Sequence, residues 1–238
     1  MLAFLWMKTV NHYSQIPIFI NENMILNASH FSFQQGSLVG SDNESEITKP
    51  NTYHQWRRKR KETFLAGRFA VQHAQVNLQL PTINILKAKS GSPIWPTGYT
   101  GSISHTDNQA IAVLLPFEQQ EIKGIGIDIE DVDRADLLED NSLIGHHREF
   151  QVLKEAGIRV SLSCLFLFSL KESIYKALYP VVGEFFDFLD VELMEVEEGI
   201  LYFQVLRDLS ETVQEGFILR GGFSYEGDQL LTWAYRSW

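Results

Sequence analysis

Apolar and polar positions alternate through Gly124-Ile125-Gly126-Ile127-Asp128-Ile129-Glu130. That period of two predicts an extended strand with Asp128 and Glu130 projecting from one face and Ile125, Ile127 and Ile129 packed behind them. Thr100 to His105 and Ala110 to Leu115 are also strand-like, and the turn formers Thr106-Asp107-Asn108-Gln109 between them predict a hairpin closed by Pro116. The spacing becomes helical at Phe64 to Val71, at about Gly145 to Ala156 and at Ser161 to Tyr179, with Pro180 expected to stop the last helix. Strands are expected again near Leu201 to Leu206, Phe217 to Phe223 and Leu230 to Tyr235. Gly40 to Asn51 reads as a polar surface loop and Glu130 to Asp140 as an acidic connection. This order predicts an α+β fold in two similar halves meeting near residue 117, that is 1–117 and 118–238.

With 238 residues, 45% of them hydrophobic and 12% aromatic, the chain can bury a substantial core and is globular, not disordered. Cys164, the single cysteine, lies in the apolar run Leu162 to Leu170; it excludes an internal disulfide and reads as a small core residue in a reducing compartment. Leu2 to Met7 is too short for a signal-peptide core, and no apolar run approaches a membrane span, so a cytoplasmic protein is expected. A formal net charge of −10 argues against a general nucleic-acid binder. Within that acidic background, Arg57-Arg58-Lys59-Arg60-Lys61 gathers five of the twenty Lys and Arg at the start of a predicted helix. Cations there run against the helix dipole, so the run is either a solvated helix start or a short-range site for an anionic ligand or partner.

Asp128 and Glu130, two strand rises of about 3.3 Å apart, are either the solvated side of an antiparallel strand or half of a hard-cation site. A third acid is offered by the last helix. At 100° per residue, Leu165, Phe168, Glu172, Tyr175 and Tyr179 fall within roughly 80° of one another, with Glu172 in the middle of the stripe. A carboxylate buried there needs a partner: a metal ion shared with Asp128 and Glu130, or Lys176 at i+4 as a simple helical pair. Ser104 and His105, at the end of a strand, can hold a phosphate, although a lone strand-end histidine is more often structural than functional. A serine nucleophile, a zinc site, a P-loop and a dinucleotide fingerprint all lack their spacing.

Taken together, Gly101-Ser-Ile-Ser-His105, Gly126-Ile-Asp-Ile-Glu130 and Phe168-Ser-Leu-Lys-Glu172-Ser-Ile-Tyr-Lys176-Ala177 resemble the ordered motifs of 4'-phosphopantetheinyl transferases. Phe64-Leu-Ala-Gly-Arg68 and Ser92-Pro-Ile-Trp-Pro96 are similar, more narrowly, to the enterobactin synthase component D group. Phe168 stands where many relatives have tryptophan, a change that concerns local packing.

The resemblance implies an α+β pseudodimer, with coenzyme A bound in the cleft between the halves. Asp128, Glu130 and Glu172 would hold Mg2+ against the pyrophosphate of coenzyme A, with Lys176, Ser104 and His105 contacting that group. Lys87 and Lys89 would neighbour the nucleotide, and Arg60 and Arg68 its phosphates. The enzyme, a cytoplasmic monomer, would move the phosphopantetheine arm to a serine of an apo peptidyl, aryl or acyl carrier protein and release adenosine 3',5'-bisphosphate. Glu172 or Lys176 would take the serine proton. Two other readings keep the same residues: a magnesium-dependent phosphodiesterase or nuclease, and a non-catalytic carrier-binding module.

Overall fold

A computed structural model describes residues 12–21, 24–116, 122–137 and 141–237. Leu2 to Met7 and the boundary expected near residue 117 lie outside them. The first half contains strands β1 (His12–Asn21) and β2 (Met24–Ser32), helix α1 (Arg58–Asn77), a short ribbon of β3 (Leu86–Lys87) and β4 (Pro93–Ile94), and the hairpin β5 (Tyr99–His105) and β6 (Gln109–Pro116). The second contains β7 (Ile122–Asp131), α2 (His147–Glu155), α3 (Ser163–Val182), β8 (Val191–Glu197), β9 (Ile200–Val205), β10 (Ile218–Glu226) and β11 (Gln229–Ser237). Helix and sheet are mixed as an α+β pattern predicts. Two antiparallel sheets result, ordered β1-β2-β6-β5 and β7-β11-β10-β9-β8.

Alternation along the strands sorts their side chains into layers. Between the sheets, Ile16 and Ile18 of β1 and Ile111 and Val113 of β6 meet Ile125, Ile127 and Ile129 of β7 and Leu231 and Trp233 of β11. The isoleucines of β7 are therefore core shared by both halves. Each contributes about 1.5–3 kcal/mol of burial, and Trp233 Nε1 and Tyr235 OH add bonds to the carbonyls of Phe19 (3.2 Å) and Ile20 (2.8 Å) across the interface. Outside the first sheet lies α1, whose Leu65, Phe69 and Ala70 pack with Phe31 and Ala112. On the other sheet lies α3, whose Phe166, Leu170, Ile174 and Leu178 pack with Leu193, Phe203 and Leu219.

Several expectations change. The helix expected over Phe64 to Val71 starts at Arg58, so the basic run forms its first turn, with no acid there to offset it. Pro180 does not stop α3: it removes one hydrogen bond in the last turn, and the helix ends at Gly183, whose φ of 74° no β-carbon opposes. Strand β8 was not expected, because the glutamates alternating with Val191, Leu193 and Val196 disfavour strand by propensity; the buried face decides. Cys164 is only half buried, at a surface cavity, and hydrogen-bonds to Asn141. Among the described residues, no helix is long and apolar enough to cross a membrane.

Candidate functional site

Strands β5 and β7 are edges of separate sheets, and side chains join them. Ser102 Oγ accepts a hydrogen bond from the Ile127 N–H at 3.0 Å, and Ser104 Oγ accepts from Ile129 N–H at 3.4 Å. The hydroxyls take the part that a neighbouring strand's carbonyls would play for an otherwise unpaired edge. The other face of β7 meets α3. A β-carbon on Gly126 would overlap the Ser173 carbonyl oxygen, and one on Gly124 would lie 2.7 Å from the Ala177 oxygen. The glycines of the motif thus admit the helix backbone, and the acids follow on the same face. We expect Gly126→Ala to push α3 off the strand and cost about 1–3 kcal/mol in chemical denaturation; an unchanged midpoint would show that the approach is not needed.

Asp128 is buried, and every partner is another side chain. Ser104 Oγ donates to Oδ1 at 2.7 Å, Lys176 Nζ donates to the same oxygen at 2.7 Å, and Ser169 Oγ donates to Oδ2 at 2.8 Å. Ser169 has one hydroxyl hydrogen and spends it on Asp128, so its 2.8 Å bond to Thr232 Oγ1 is donated by Thr232, while Ser173 Oγ lies 2.9 Å from Thr232 Oγ1 and 3.2 Å from the Thr232 carbonyl. This relay, buried throughout, orients the carboxylate. Lys176 also donates to Ser104 Oγ and to the Ile127 carbonyl, each at 3.1 Å. It therefore pairs across to β7 and not with Glu172.

Glu130, also buried, accepts from Arg134 Nη1 at 2.5 Å. Burial first, and then the charge of Asp128, push its carboxyl up to about 7 against the opposing effect of Arg134. Glu172 is half buried, and burial followed by Asp128 raises its pKa while Lys176 lowers it. Of the stripe expected to be core, Leu165 is buried, Phe168 is half-buried against the core, and Glu172, Tyr175 and Tyr179 form half-exposed cavity wall, whereas Leu170, Ile174 and Leu178 are fully buried. Among the described residues no three His, Cys, Asp or Glu side chains are gathered to hold a metal ion as they stand. The donor chemistry nevertheless fits a hard divalent cation: three carboxylates with no soft ligand, two of them raised by burial and by the third.

Two adjoining cavities lie beside the partners of these acids: Arg134 lines the first, and Lys176 and Glu172 line the second. One, of about 640 Å³, is lined by the basic face of α1 together with Lys87 and His105. Arg60 and Lys87 both approach the Trp56 ring, at 4.8 and 4.6 Å, and Arg68 sits 4.6 Å over Phe64. Arg68 is buried with Nε on the Ile85 carbonyl at 2.8 Å, and burial lowers its pKa to about 10. Burial and then the charges of Arg60 and Arg68 lower Lys87 as well. The second cavity, of about 690 Å³, has Glu172, Tyr175, Lys176 and Tyr179 along one wall and shares Gly91, Pro93 and Ile103 with the first.

Of the expected site residues, Arg60, Arg68, Lys87 and His105 line the first cavity and Glu172 and Lys176 the second, whereas the buried Asp128 and Glu130, Ser104 and Lys89 line neither. The Ser104 hydroxyl is enclosed by Asp128, Lys176 and Ile129, so it holds the acid instead of opening to a ligand. Lys89 is exposed and lines neither cavity, because it lies in the ribbon turn beyond Lys87. Trp56, Ser169, Thr232 and Arg134 were missed. Only Trp56, an aromatic directly before the basic run, left a readable signal.

A model of the 4'-phosphopantetheinyl transferase N-terminal domain matches residues 50–115, and a model of the 4'-phosphopantetheinyl transferase superfamily matches residues 124–223. The chain is 32% identical over 145 residues to the 4'-phosphopantetheinyl transferase Npt of Nocardia iowensis, covering 59% of this chain and 62% of that protein. It is 37% identical over 121 residues to the Enterobactin synthase component D of Salmonella typhimurium, covering 50% of this chain and 49% of the relative. The corresponding protein of Escherichia coli K12 is 37% identical over 126 residues, covering 50% of this chain and 55% of the relative. The chain therefore spans about half to three fifths of the length of these curated relatives. The two models follow each other along the segments that carry α1, β5, β7 and α3, and the chain belongs to the 4'-phosphopantetheinyl transferase superfamily.

Proposed function

We propose that this chain transfers the 4'-phosphopantetheine arm of coenzyme A to a serine of an apo carrier protein, in a magnesium-dependent reaction that releases adenosine 3',5'-bisphosphate. The observation that carries the reading is a basic cavity, with Arg60, Arg68 and Lys87 over aromatic rings, that adjoins a second cavity holding Glu172, while Asp128 and Glu130 are tied to the cavity-lining Lys176 and Arg134. Such cations favour phosphate oxygens, which supply the missing charge. Each half carries an antiparallel sheet with a long helix on its outer face, which supports reading them as halves of a pseudodimer with the active site in the cleft between them.

In this reading Arg60, Arg68 and Lys87 bind the nucleotide phosphates, with His105 at the same cavity. Lys176, held at the seam by Asp128 and the Ile127 carbonyl, orients the pyrophosphate. Asp128, Glu130 and Glu172 would hold magnesium, which when bound supplies charge neutralisation at the pyrophosphate. The carrier serine oxygen bonds to the phosphorus bearing the pantetheine arm, and the bond from that phosphorus to the bisphosphate leaving group breaks. Glu172, whose pKa burial raises, accepts the serine proton. Because the nucleophile belongs to the partner, no activated serine is needed on this chain.

Carrier domains of siderophore-type non-ribosomal peptide synthesis are the proposed partners, on the names of the component D relatives, and a cytoplasmic monomer is the proposed working form. Incubation of apo aryl-, peptidyl- and fatty-acid acyl-carrier proteins with coenzyme A and Mg2+ should give a phosphopantetheine mass gain on the preferred class. Hydrolysis of coenzyme A or DNA without any carrier would favour the phosphodiesterase reading. Carrier association with no mass gain would favour a binding module.

A further inference from the structure

Among the described residues, the basic cavity takes its cations from the N-terminal half with one exception, Arg134. This arginine lies in the turn Val132–Leu137 that follows β7, and its Nη1 sits 2.5 Å from Glu130 Oε2. The two ends of the pair differ in setting. The Arg134 side chain is 53% exposed and opens to the cavity, whereas the Glu130 side chain is 11% exposed and rooted beside Asp128. The other paired cation of the cavity, Lys59, is held by Asp107, which is not one of the three acids of the groove.

We propose that Arg134 is a binding residue with two successive partners, Glu130 in the free chain and a phosphate oxygen of the nucleotide once a divalent cation has taken Glu130. The proposal rests on the function given above, in which the three acids hold the cation and the basic cavity holds coenzyme A. The exchange leaves no charge stranded: the half-exposed guanidinium gains charge-assisted bonds to phosphate, and the divalent cation takes its place on the buried Glu130. Cation and nucleotide then favour each other's binding, and linkage makes the effect reciprocal.

The test uses Arg134→Gln and Arg134→Lys in the full chain, with folding checked by circular dichroism. Mn2+ binding is followed by electron paramagnetic resonance without coenzyme A, and coenzyme A binding by calorimetry with and without saturating Mg2+. Removing a competitor for Glu130 should tighten Mn2+ binding by R134Q up to about fivefold. The same substitution should weaken coenzyme A binding about tenfold with Mg2+ present and hardly at all without it. R134K, which keeps the charge and loses the fork, should fall between. If the wild type binds both ligands with Mg2+-linked affinity and R134Q has the same linkage, the role of Arg134 is overturned alone. If the wild type shows no linked binding, the proposed site falls with it.

Discussion

Glu172→Gln is expected to reduce phosphopantetheine transfer by about 10²–10⁴-fold while leaving the protein folded, the loss typical of removing a positioned base. The dissociation of activity from stability follows from the side chain's surroundings. Glu172 stands half buried on the cavity wall, and among the described residues no hydrogen bond ties it to the fold. Neutralising it removes the charge that burial disfavours, so the thermal midpoint should hold or rise slightly. Asp128→Asn provides the contrast. It would leave Lys176 without its counter-ion and break the bonded geometry of Ser104 and Ser169, so activity and midpoint should fall together. Single-turnover mass spectrometry of an apo carrier, paired with thermal unfolding, reads both quantities. Labelling by E172Q at the wild-type rate would remove Glu172 from the chemistry.

The largest loss of stability is expected from Lys171→Met, about 3–5 kcal/mol. Lys171 precedes Glu172 in the motif but faces the interior, 1% exposed, with Nζ 2.7 Å from Glu149 Oε1, itself 0% exposed. The ammonium also donates to the carbonyls of Phe188 (2.9 Å) and Val191, and Glu149 accepts from the N–H groups of His146 (2.8 Å) and Leu193 (2.7 Å). One ion pair therefore fastens α2, α3 and the edge strand β8. Without its cation, Glu149 becomes a buried carboxylate held by two amides alone. The double variant K171M/E149L should be less destabilised than the sum of the two single changes, because it removes both charges together. Urea denaturation of the four proteins measures the coupling. An unfolding free energy for K171M within about 0.5 kcal/mol of wild type would mean that the pair is not structural.

Much of this architecture was readable before any coordinates, and the failures share a cause. Alternation located β7 and the β5–β6 hairpin, since period two is local information. Glu172 was reached by a wheel that put it among core residues, yet its aromatic neighbours Tyr175 and Tyr179 line a cavity. Aromatic rings serve both settings, and periodicity does not distinguish them. Lys176 seemed a local partner for Glu172, but its counter-ion is Asp128 on another element. The buried pair Lys171 and Glu149 left no signal, because neither residue type is expected inside and their meeting depends on how α2 docks on α3. Contacts made within one strand or helix were legible, whereas those made between elements were not.

The serine pair of β5 also sets what changes in length the chain can tolerate. Ser102 and Ser104 match the amides of residues 127 and 129 in step, so the two edges are indexed to each other like the teeth of a rack. An extra residue in the 106–108 turn would lengthen a surface loop, but one inserted between the serines would flip the following side chain to the opposite face. The amide of Ile129 and the carboxylate of Asp128 would then lose the same hydroxyl at once. Length variation among relatives should therefore collect in the loops and spare this three-residue stretch.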